Sequence, residues 1–352
     1  MPENPFENFT RIYDADELID LAFKKGNSKS ASIPSVANHI MKAKRKEVKK
    51  IQNVNNYILG QIKRIVQSVP DLDNLHPFYK ELSHLLVDND LLKKNLGKLN
   101  GLIPVFQRLL SELIRKINNS GHPNECAAFR RQYYARAASI LKQQSKTLIF
   151  LEEARRQLKQ IPTIDNSLPS IVVAGYPNVG KSSLVKNLSS ANPEVCEYPF
   201  TTKSIIIGVY RDKTDTKLFQ LIDTPGVLDR PMEKRNEIER QAILALRTIS
   251  NIVLFMIDPT LTCGYSIENQ LSLFHEVKEN FIDIVDIPWL ILINKVDLAR
   301  EEELKFVKEK LGLKKEDYIE VVAVNNNQKE LVDKIIEIIN KSGLLALHFK
   351  DL

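Results

Sequence analysis

The first half of the chain places its hydrophobic residues at the spacing of amphipathic α-helices. The pattern begins in "DADELIDLAF", where aspartates precede the first apolar residues, and it continues to residue 160. One stretch from Val36 to about Ser68 contains no proline, and another predicts a long helix from roughly Cys126 to Gln160. Glycine is scarce and no repeat is visible, so the economical prediction for residues 1–160 is a helical bundle.

Short β-branched runs replace this pattern in the second half. The segment "IPTIDNSLPS" has two prolines and no periodicity, and we predict a linker at 161–168. The runs are "SIVVAG", "SIIIGVYR", "KLFQLID", "NIVLFMID", "WLILIN" and "IEVVAV". The second and third, joined by "DKTDT", predict an antiparallel hairpin, and helical stretches lie between most of the others. Residues 169–352 are therefore predicted to form a doubly wound, mostly parallel six-stranded sheet with one antiparallel edge strand.

Charge is distributed unevenly along the 352 residues. The net charge of +6 divides into about +10 for residues 1–170 and about −4 for residues 171–352. A basic half suggests a polyanionic partner, and solvated helix faces explain it about as well.

Cysteine use and hydropathy predict a cytoplasmic protein. Cys126, Cys196 and Cys263 lie far apart without a CxxC pair, which argues against a disulfide framework or a zinc site. The N-terminal segment lacks an apolar signal core, and no apolar run approaches the ~18 residues that a membrane span needs. We therefore expect a reducing compartment and no membrane partner.

The strongest chemical signal is "GYPNVGKS", Gly175 to Ser182, which matches G-x-x-x-x-G-K-[ST] between a predicted strand and a predicted helix. Its backbone N–H groups would surround phosphate oxygens, Lys181 would neutralise the β- and γ-phosphates, and Ser182 would ligate Mg²⁺. Downstream, "LIDTPG" ends a predicted strand. There Asp223 would hold Mg²⁺ through water, and the Gly226 amide would meet the γ-phosphate.

A threonine that reaches Mg²⁺ only with the γ-phosphate present is expected in "YPFTTKS", residues 198–204. Thr202 is our first choice and Thr201 the second. The alternative is a threonine-rich turn without a ligand.

The segment "LILINKVDLA" decides the base. Asn294 can donate to and accept from the O6/N7 edge of guanine, and Asp297 can accept from its N1–H and 2-amino groups. Adenine would leave that carboxylate unpaired, so the predicted ligand is GTP or GDP. The alkyl stem of Lys295 would lie along the base. After the last strand, Ala323 and Val324 would supply the backbone contact to guanine O6, where many GTPases have a Ser-Ala pair.

These motifs and their neighbours make up the predicted nucleotide site. Its nucleotide-binding residues are Gly175, Tyr176, Pro177, Asn178, Val179, Gly180, Lys181, Ser182, Ser183, Phe200, Thr201, Thr202, Asp223, Thr224, Pro225, Gly226, Asn294, Lys295, Val296, Asp297, Ala323 and Val324. The predicted catalytic residues are Lys181, Thr202, Gly226 and Asn178, and the predicted metal ligands are Ser182, Thr202 and, through water, Asp223.

Longer segments of both halves resemble one family. They are "GYPNVGKSS", "YPFTTKS", "DTPGVLDRPMEKRNEIERQAILAL" and "IDPTLTCGYSIENQLSLF", with "FTRIYDADELIDLAFKK" and "FRRQYYARAASILK" in the helical half. Together they resemble the nucleolar GTP-binding protein family, a branch of the Obg-related, translation-factor-class GTPases, and the chain looks like its compact archaeal form. The resemblance implies an α + α/β fold, with a helical bundle followed by a P-loop GTPase domain.

The resemblance also implies a function. Members of the family act in assembly of the large ribosomal subunit. A nucleotide-dependent switch that hydrolyses GTP would then bind ribosomal RNA and the large-subunit precursor particle, and we expect it to be monomeric when free. The competing hypothesis is a GTP-dependent scaffold or stress-signalling protein in which hydrolysis is incidental. An RNA-modification GTPase is disfavoured because the chain shows no modifying domain.

Two features of the sequence bear on mechanism. Val227 and Leu228 occupy the place where Ras-like enzymes orient water with a glutamine, which predicts slow intrinsic hydrolysis. Asn178 lies at the middle of the phosphate loop, where related GTPases can use an asparagine to hold K⁺ against the β- and γ-phosphates. The alternative is that Asn178 only stabilises the loop backbone.

Basic residues with interleaved tyrosines predict RNA contacts in the helical half. The candidates, from "MKAKRKEVKKIQ" and "FRRQYYARAASILKQQSK", are Lys42, Arg45, Lys46, Lys49, Lys50, Arg130, Arg131 and Arg136. A solvated helix face is the alternative.

Overall fold

The computed structural model describes most of the chain and divides it into two compact units. The described residues are 4–27, 39–197, 204–224, 228, 243, 245–282, 287–312, 314–325 and 328–342, with side chains omitted at 280–282. A helical unit contains residues 5–74 and 86–159. An α/β unit contains Asn4, residues 75–85 and the described residues from Gln160 onward.

The helical unit is built on one long helix. Its helices are α1 (Ala15–Gly26), α2 (His39–Ser68), α4 (Asn89–Asn100), α5 (Leu102–Asn119), α6 (Pro123–Gln143) and α7 (Ser145–Leu158). Along α2 the buried side chains Ile51, Ile58 and Ile62 recur at helical spacing, which the sequence pattern anticipated. Tyr133 of α6 is fully buried against this stripe, and its hydroxyl donates to Oδ1 of Asn55 at 3.0 Å.

The helical unit differs from the sequence prediction in one connection. The helix predicted from Cys126 to Gln160 is two helices, because α6 ends and α7 begins at Gln144. The N–H of Gln144 donates to the carbonyl oxygen of Leu141, only three residues back, at 2.9 Å. The tighter turn ends the α-helical hydrogen-bond ladder at this point.

The α/β unit contains one sheet flanked by helices. Its strands are β1 (Ser170–Ala174), β2 (Glu194–Glu197), β3 (Ser204–Arg211), β4 (Lys217–Asp223), β5 (Ile252–Ile257), β6 (Trp289–Asn294) and β7 (Tyr318–Val321). The order is β2-β3-β4-β1-β5-β6-β7, and β1 pairs in parallel with β4 and β5. The helices of this unit are α3 (Pro77–Leu86), α8 (Lys181–Leu188), α9 (Ile267–Ile282), α10 (Glu301–Leu311) and α11 (Lys329–Lys341).

The predicted antiparallel hairpin is confirmed, because β3 pairs antiparallel with β4. The predicted count of six strands is wrong, since the described sheet has seven. The additional strand, β2, pairs antiparallel with β3 and forms the sheet edge. Its sequence is "EVCE", and Val195 is 66% exposed, so β2 lacks the apolar run by which the other strands were predicted.

Residues 161–168, predicted as a linker, pack within the α/β unit. Ile161, Ile164 and Leu168 are buried. The Tyr79 hydroxyl of α3 accepts the N–H of Ile164 at 2.9 Å, and Nδ2 of Asn4 donates to the carbonyl oxygen of Ile161 at 2.7 Å. The Tyr79 contact ties α3 to the α/β unit, although α3 lies between helices of the other unit in the chain.

Membrane crossing needs a long apolar helix, and none of the helices in the described part of the chain meets that requirement.

Candidate nucleotide site

The phosphate loop runs from the end of β1 into the start of α8, and two of its positions accept only glycine. Gly175 has a φ of +134°, and a Cβ there would lie 2.6 Å from the carbonyl oxygen of Met256. Gly180 has a φ of +111°, and its Cβ would lie 2.3 Å from Nδ2 of Asn294. Backbone conformation and close packing both exclude a side chain. The loop is therefore held against the carboxyl ends of β5 and β6.

Lys181, the first residue of α8, is buried and lies across this loop. Its Nζ donates to the carbonyl oxygens of Gly175 at 2.7 Å and Tyr176 at 2.8 Å. Asn178 is exposed and has a φ of +63°, a left-handed conformation in which asparagine is enriched. The loop conformation thus supplies a backbone reason for an asparagine at this position.

Two predicted Mg²⁺ ligands meet at the start of α8. The Ser182 hydroxyl donates to Oδ2 of Asp223, which is fully buried at the end of β4. The neighbouring Thr224 is also buried, and its Oγ1 donates to the carbonyl oxygen of Val173 in β1 at 2.9 Å. Hydroxyl and carboxylate oxygens are the ligands that Mg²⁺ prefers, so this pair fits the ion.

Several predicted site residues lie outside the described residues. They are Phe200, Thr201, Thr202, Pro225 and Gly226, together with Val227. Leu228 is described and buried, and its carbonyl oxygen accepts the N–H of Gly175 at 3.2 Å. Leu228 therefore lies against the start of the phosphate loop.

Both the nitrogen and the oxygen of the Asn294 side-chain amide are hydrogen-bonded to protein backbone. Its Nδ2 donates to the carbonyl oxygen of Val179 at 2.6 Å, and its Oδ1 accepts the N–H of Ala323 at 2.8 Å. Asn187 of α8 adds a bond from its Nδ2 to the carbonyl oxygen of Ala323 at 2.6 Å. Asn294 thus joins the phosphate loop to the loop after β7. A primary amide has a further N–H and lone pair with which to meet a base.

Ala323, predicted together with Val324 to supply the backbone contact to guanine O6, donates its N–H to Oδ1 of Asn294 in the structure. The exposed Val324 follows it. Asp297, the predicted acceptor for N1–H and the 2-amino group, is exposed after the end of β6, and Val296 is half-buried.

Lys295, whose alkyl stem is predicted to lie along the base, is bound by protein groups at its ammonium end. Its Nζ donates to Oδ2 of Asp258 at 2.6 Å, Oγ1 of Thr262 at 2.7 Å and the carbonyl oxygen of Asn178 at 3.0 Å. Its backbone is left-handed, with a φ of +59°. The ammonium group is therefore fixed between the phosphate loop and the loop that follows β5.

Asp258, which sequence reasoning missed, organises that loop. Its carboxylate is fully buried and accepts hydrogen bonds from Lys295, from both Thr260 and Thr262, and from the N–H of Cys263. Burial would raise the pKa of Asp258, but the hydrogen bonds from Lys295 and the two threonines outweigh it and lower the pKa. The available signal was an aspartate directly after the apolar run "NIVLFMI".

The loop after β5 is anchored at both ends. Gln270 of α9 accepts the N–H of Asp258 at 2.8 Å through Oε1, and its Nε2 donates to the carbonyl oxygen of Asp258 at 3.0 Å. The ring of Tyr265 lies against that of Tyr176 in the phosphate loop, with centroids 4.1 Å apart. The buried amide and the ring pair hold residues 258–265 against the phosphate loop.

The candidate RNA-binding residues of the helical unit divide into two groups. Arg130 donates to Glu47 at 2.5 Å and Lys50 donates to the same carboxylate at 3.3 Å, while Arg136 donates to Glu112 at 2.8 Å. Exposed members outside these pairs are Arg45, Lys46, Lys49 and Arg131, and Lys42 is half-buried. The paired residues have a structural role within the bundle that the sequence pattern did not reveal.

The architecture of the α/β unit defines its class of protein. A mostly parallel sheet carries a G-x-x-x-x-G-K-S loop after β1, an aspartate at the end of β4 and N-K-x-D after β6, all at the carboxyl ends of these strands. This is a P-loop GTPase-like α/β domain, preceded by a helical domain.

Comparisons with known proteins identify the family. Residues 6–165 match the NOG1 N-terminal helical domain, and residues 237–297 match nucleolar GTP-binding protein 1 (NOG1). An uncharacterised protein of Methanocaldococcus jannaschii is 37% identical over 310 residues, which cover 86% of this chain and 83% of that protein. Nucleolar GTP-binding protein 1 of Drosophila melanogaster is 34% identical over 301 residues, 85% of this chain and 45% of that protein. A solved structure of nucleolar GTP-binding protein 1 from Plasmodium falciparum is 30% identical, covers 54% of this chain and 96% of that chain, and has a TM-score of 0.42.

The chain belongs to the nucleolar GTP-binding protein 1 family, a family of GTP-binding proteins. It spans about half the length of the eukaryotic relatives that it matches.

Proposed function

We propose that this chain binds GTP and GDP with Mg²⁺ at the phosphate loop and hydrolyses GTP slowly. The observation that carries the proposal is the contact between Ser182 and Asp223. It places two oxygen ligands next to the phosphate loop, which the buried ammonium group of Lys181 contacts. Bound Mg²⁺ would neutralise phosphate charge during hydrolysis. Thr202 and Gly226 would complete the γ-phosphate contacts. The hydrophobic Val227 cannot orient water, which is our reason for proposing a slow rate.

Fluorescent GDP titrations with and without Mg²⁺ test the metal part of the proposal. Wild-type protein should bind GDP more tightly with Mg²⁺, and Ser182→Ala should remove most of that difference. Ser183→Ala, one position further along α8, is the control, because Ser183 is a predicted nucleotide contact but not a predicted metal ligand. Its GDP affinity can fall, but the Mg²⁺ dependence should remain. Equal Mg²⁺ dependence in Ser182→Ala and wild-type protein would contradict the metal assignment.

The Asn178 side chain allows a potassium ion as a further cofactor of hydrolysis. Exposure of the side chain in the phosphate loop supports this part of the proposal, whereas the left-handed φ favours a backbone role. Hydrolysis rates in potassium and sodium buffers distinguish the potassium ligand from the backbone role. The variant Asn178→Gly removes the side chain and can retain the left-handed backbone. Faster hydrolysis in potassium that Asn178→Gly abolishes supports the ion, and equal rates in both buffers support the backbone role.

At the level of the cell we propose a cytoplasmic, nucleotide-dependent switch in assembly of the large ribosomal subunit. Membership of the nucleolar GTP-binding protein 1 family supports this, as do the exposed basic residues of the helical unit. The direct test is co-sedimentation with large subunits and their precursors in the presence of a non-hydrolysable GTP analogue, GDP or no nucleotide. Binding that the analogue favours supports the switch. Absence of binding under all three conditions supports the scaffold or stress-signalling alternative.

We place the ribosomal RNA contact on the exposed basic residues of α2. Lys46 and Lys49 are exposed one turn apart near its amino end, and Lys63 and Arg64 are exposed near its other end. Lys46→Glu with Lys49→Glu should weaken RNA binding and flatten its salt dependence. Lys63→Glu with Arg64→Glu gives the matched control, because it changes net charge equally on the same helix. Equal losses in both variants would indicate only a general charge effect.

A further inference from the structure

Asp258 carries a fully buried carboxylate at the start of the loop after β5. We propose that Asp258 is a positioning residue that holds Lys295 against the phosphate loop. In this role it connects the segment that recognises the base to the loop that binds the phosphates. The proposal rests on the proposed binding of guanine nucleotides at this site.

Three loops meet at the Lys295 ammonium group. A lysine ammonium has three N–H donors. Its partners here come from the loop after β5, through Asp258 and Thr262, and from the phosphate loop, through the carbonyl oxygen of Asn178. Because its three donors are directed to protein oxygens, Lys295 fixes its own loop, which follows β6, against the loop after β5 and the phosphate loop.

The position of Lys295 in the chain makes this fixation relevant to the base. It lies between Asn294, whose amide binds the phosphate loop, and the exposed Asp297. Its left-handed φ of +59° is uncommon for a lysine and persists only where surrounding contacts determine it. The ion pair to Asp258 is one such contact, so loss of the carboxylate should loosen the segment that presents Asp297.

The chain contains the same turn without the lysine. Asp212, in the loop between β3 and β4, accepts the N–H of Thr214 at 2.8 Å and its Oγ1 at 2.7 Å. Asp258 accepts the N–H of Thr260 at 3.0 Å and its Oγ1 at 2.6 Å. The turn therefore forms without a lysine partner, and the contact with Lys295 is a separate function of Asp258.

A double-mutant cycle on the full chain tests the proposal. The variants are Asp258→Asn, Lys295→Met and the two combined, and Asp212→Asn is the control for the turn alone. The equilibrium constant and dissociation rate of fluorescent GDP are measured for each folded variant. Asp258→Asn should weaken GDP binding about tenfold, mainly through faster release, a size expected for residues in direct contact. Asp212→Asn should bind as wild-type protein does.

The cycle separates positioning from a merely structural role. If Asp258 acts through Lys295, the double variant should bind GDP no more weakly than whichever single variant binds it less tightly. If the fold losses of GDP affinity in the two single variants multiply in the double variant, the proposal is overturned. Wild-type affinity in Asp258→Asn would also overturn it. If Asp258→Asn does not fold, Thr262→Val removes one partner of Lys295 and keeps the carboxylate. It should give a smaller loss of GDP affinity, and wild-type affinity there would likewise overturn the proposal. Failure of wild-type protein itself to bind GDP would reject the proposed function instead.

Discussion

Two turns with the same local pattern occupy different places in the α/β unit. Residues 212–216 are "DKTDT" and residues 258–262 are "DPTLT". In both, the aspartate accepts from the threonine two residues later, and the two threonine hydroxyls lie 3.0 Å and 2.9 Å apart. The fourth residue is left-handed in both, with φ of +64° at Asp215 and +60° at Leu261. The similar local sequences thus give the same turn conformation at both places.

Their surroundings differ. The first turn joins two antiparallel strands and is exposed, whereas the second follows β5 at the edge that carries the phosphate loop, with its aspartate fully buried. Hydrogen bonds from Thr214 and the N–H of Thr216 lower the pKa of Asp212. Burial opposes ionisation of Asp258, and its pKa is low because Lys295 and the threonines outweigh that cost. The position of a turn in the fold, and not its sequence pattern, decides whether its aspartate holds a lysine.

The largest expected difference between the turns is in stability. Asp258→Ala should lower the free energy of unfolding of the α/β unit by about 3 kcal/mol, because removal of one partner leaves the other charge without compensation. Lys295 is 21% exposed, so we expect the lower end of the range for buried pairs. Asp212→Ala should have a much smaller effect, since water replaces its bonds. Thermal unfolding measures both, and the transition that GDP raises belongs to the α/β unit. Equal shifts in the two variants would contradict the comparison.

The second difference is in pH dependence. The pKa of Asp258 is lower in the folded protein than the ordinary value of about 3.9, so its ion pair contributes fully above about pH 4. That contribution is lost as the pH falls through the folded pKa. The stability gap between wild-type protein and Asp258→Asn should be constant from about pH 5 to 8 and should narrow below about pH 4. Unfolding midpoints over this range measure the gap. A gap that widens on acidification would show that the carboxylate is not stabilised as an anion.

The smallest expected difference concerns matched threonines. Thr260→Val removes a hydroxyl that donates to the buried Asp258, and we expect a loss of about 1 kcal/mol. Thr214→Val removes the equivalent hydroxyl beside the exposed Asp212, where water substitutes, so its effect should be smaller. Thermal midpoints of the two variants provide the measurement. A larger loss in Thr214→Val would reverse the order that burial predicts.

The sequence was informative where motifs mark strand ends. The carboxyl ends of parallel strands share one edge, so a loop after β1, an aspartate ending β4 and a motif after β6 were expected to come together. Ser182 and Asp223 do meet in the structure. The pairing of Lys295 with Asp258 was not predictable in the same way, because it joins the loops that follow β5 and β6 and depends on which carboxylate is buried. Since "DKTDT" and "DPTLT" look alike, no local pattern distinguishes the aspartate that binds a lysine.

Other differences have equally physical causes. The strand β2 has a polar and exposed sequence, so its pairing with β3 left no apolar signal. The helix α3 has the same amphipathic pattern as its neighbours, and periodicity does not reveal which core a helix packs against. Its place in the α/β unit follows from specific contacts such as that between Tyr79 and Ile164.

We expect the phosphate loop and the "NKVD" segment to form a guanine-nucleotide site. Asp297→Asn tests it most directly, because an asparagine can accept from N1–H and donate to the O2 carbonyl of xanthine, while guanine has a 2-amino donor there. Kd values for GDP, XDP and ADP should be measured on wild-type protein and on this variant. We predict that wild-type protein prefers GDP, and that the variant loses at least about a hundredfold in GDP affinity and gains affinity for XDP. Unchanged GDP affinity in Asp297→Asn, or equal binding of GDP and ADP by wild-type protein, would contradict the claim.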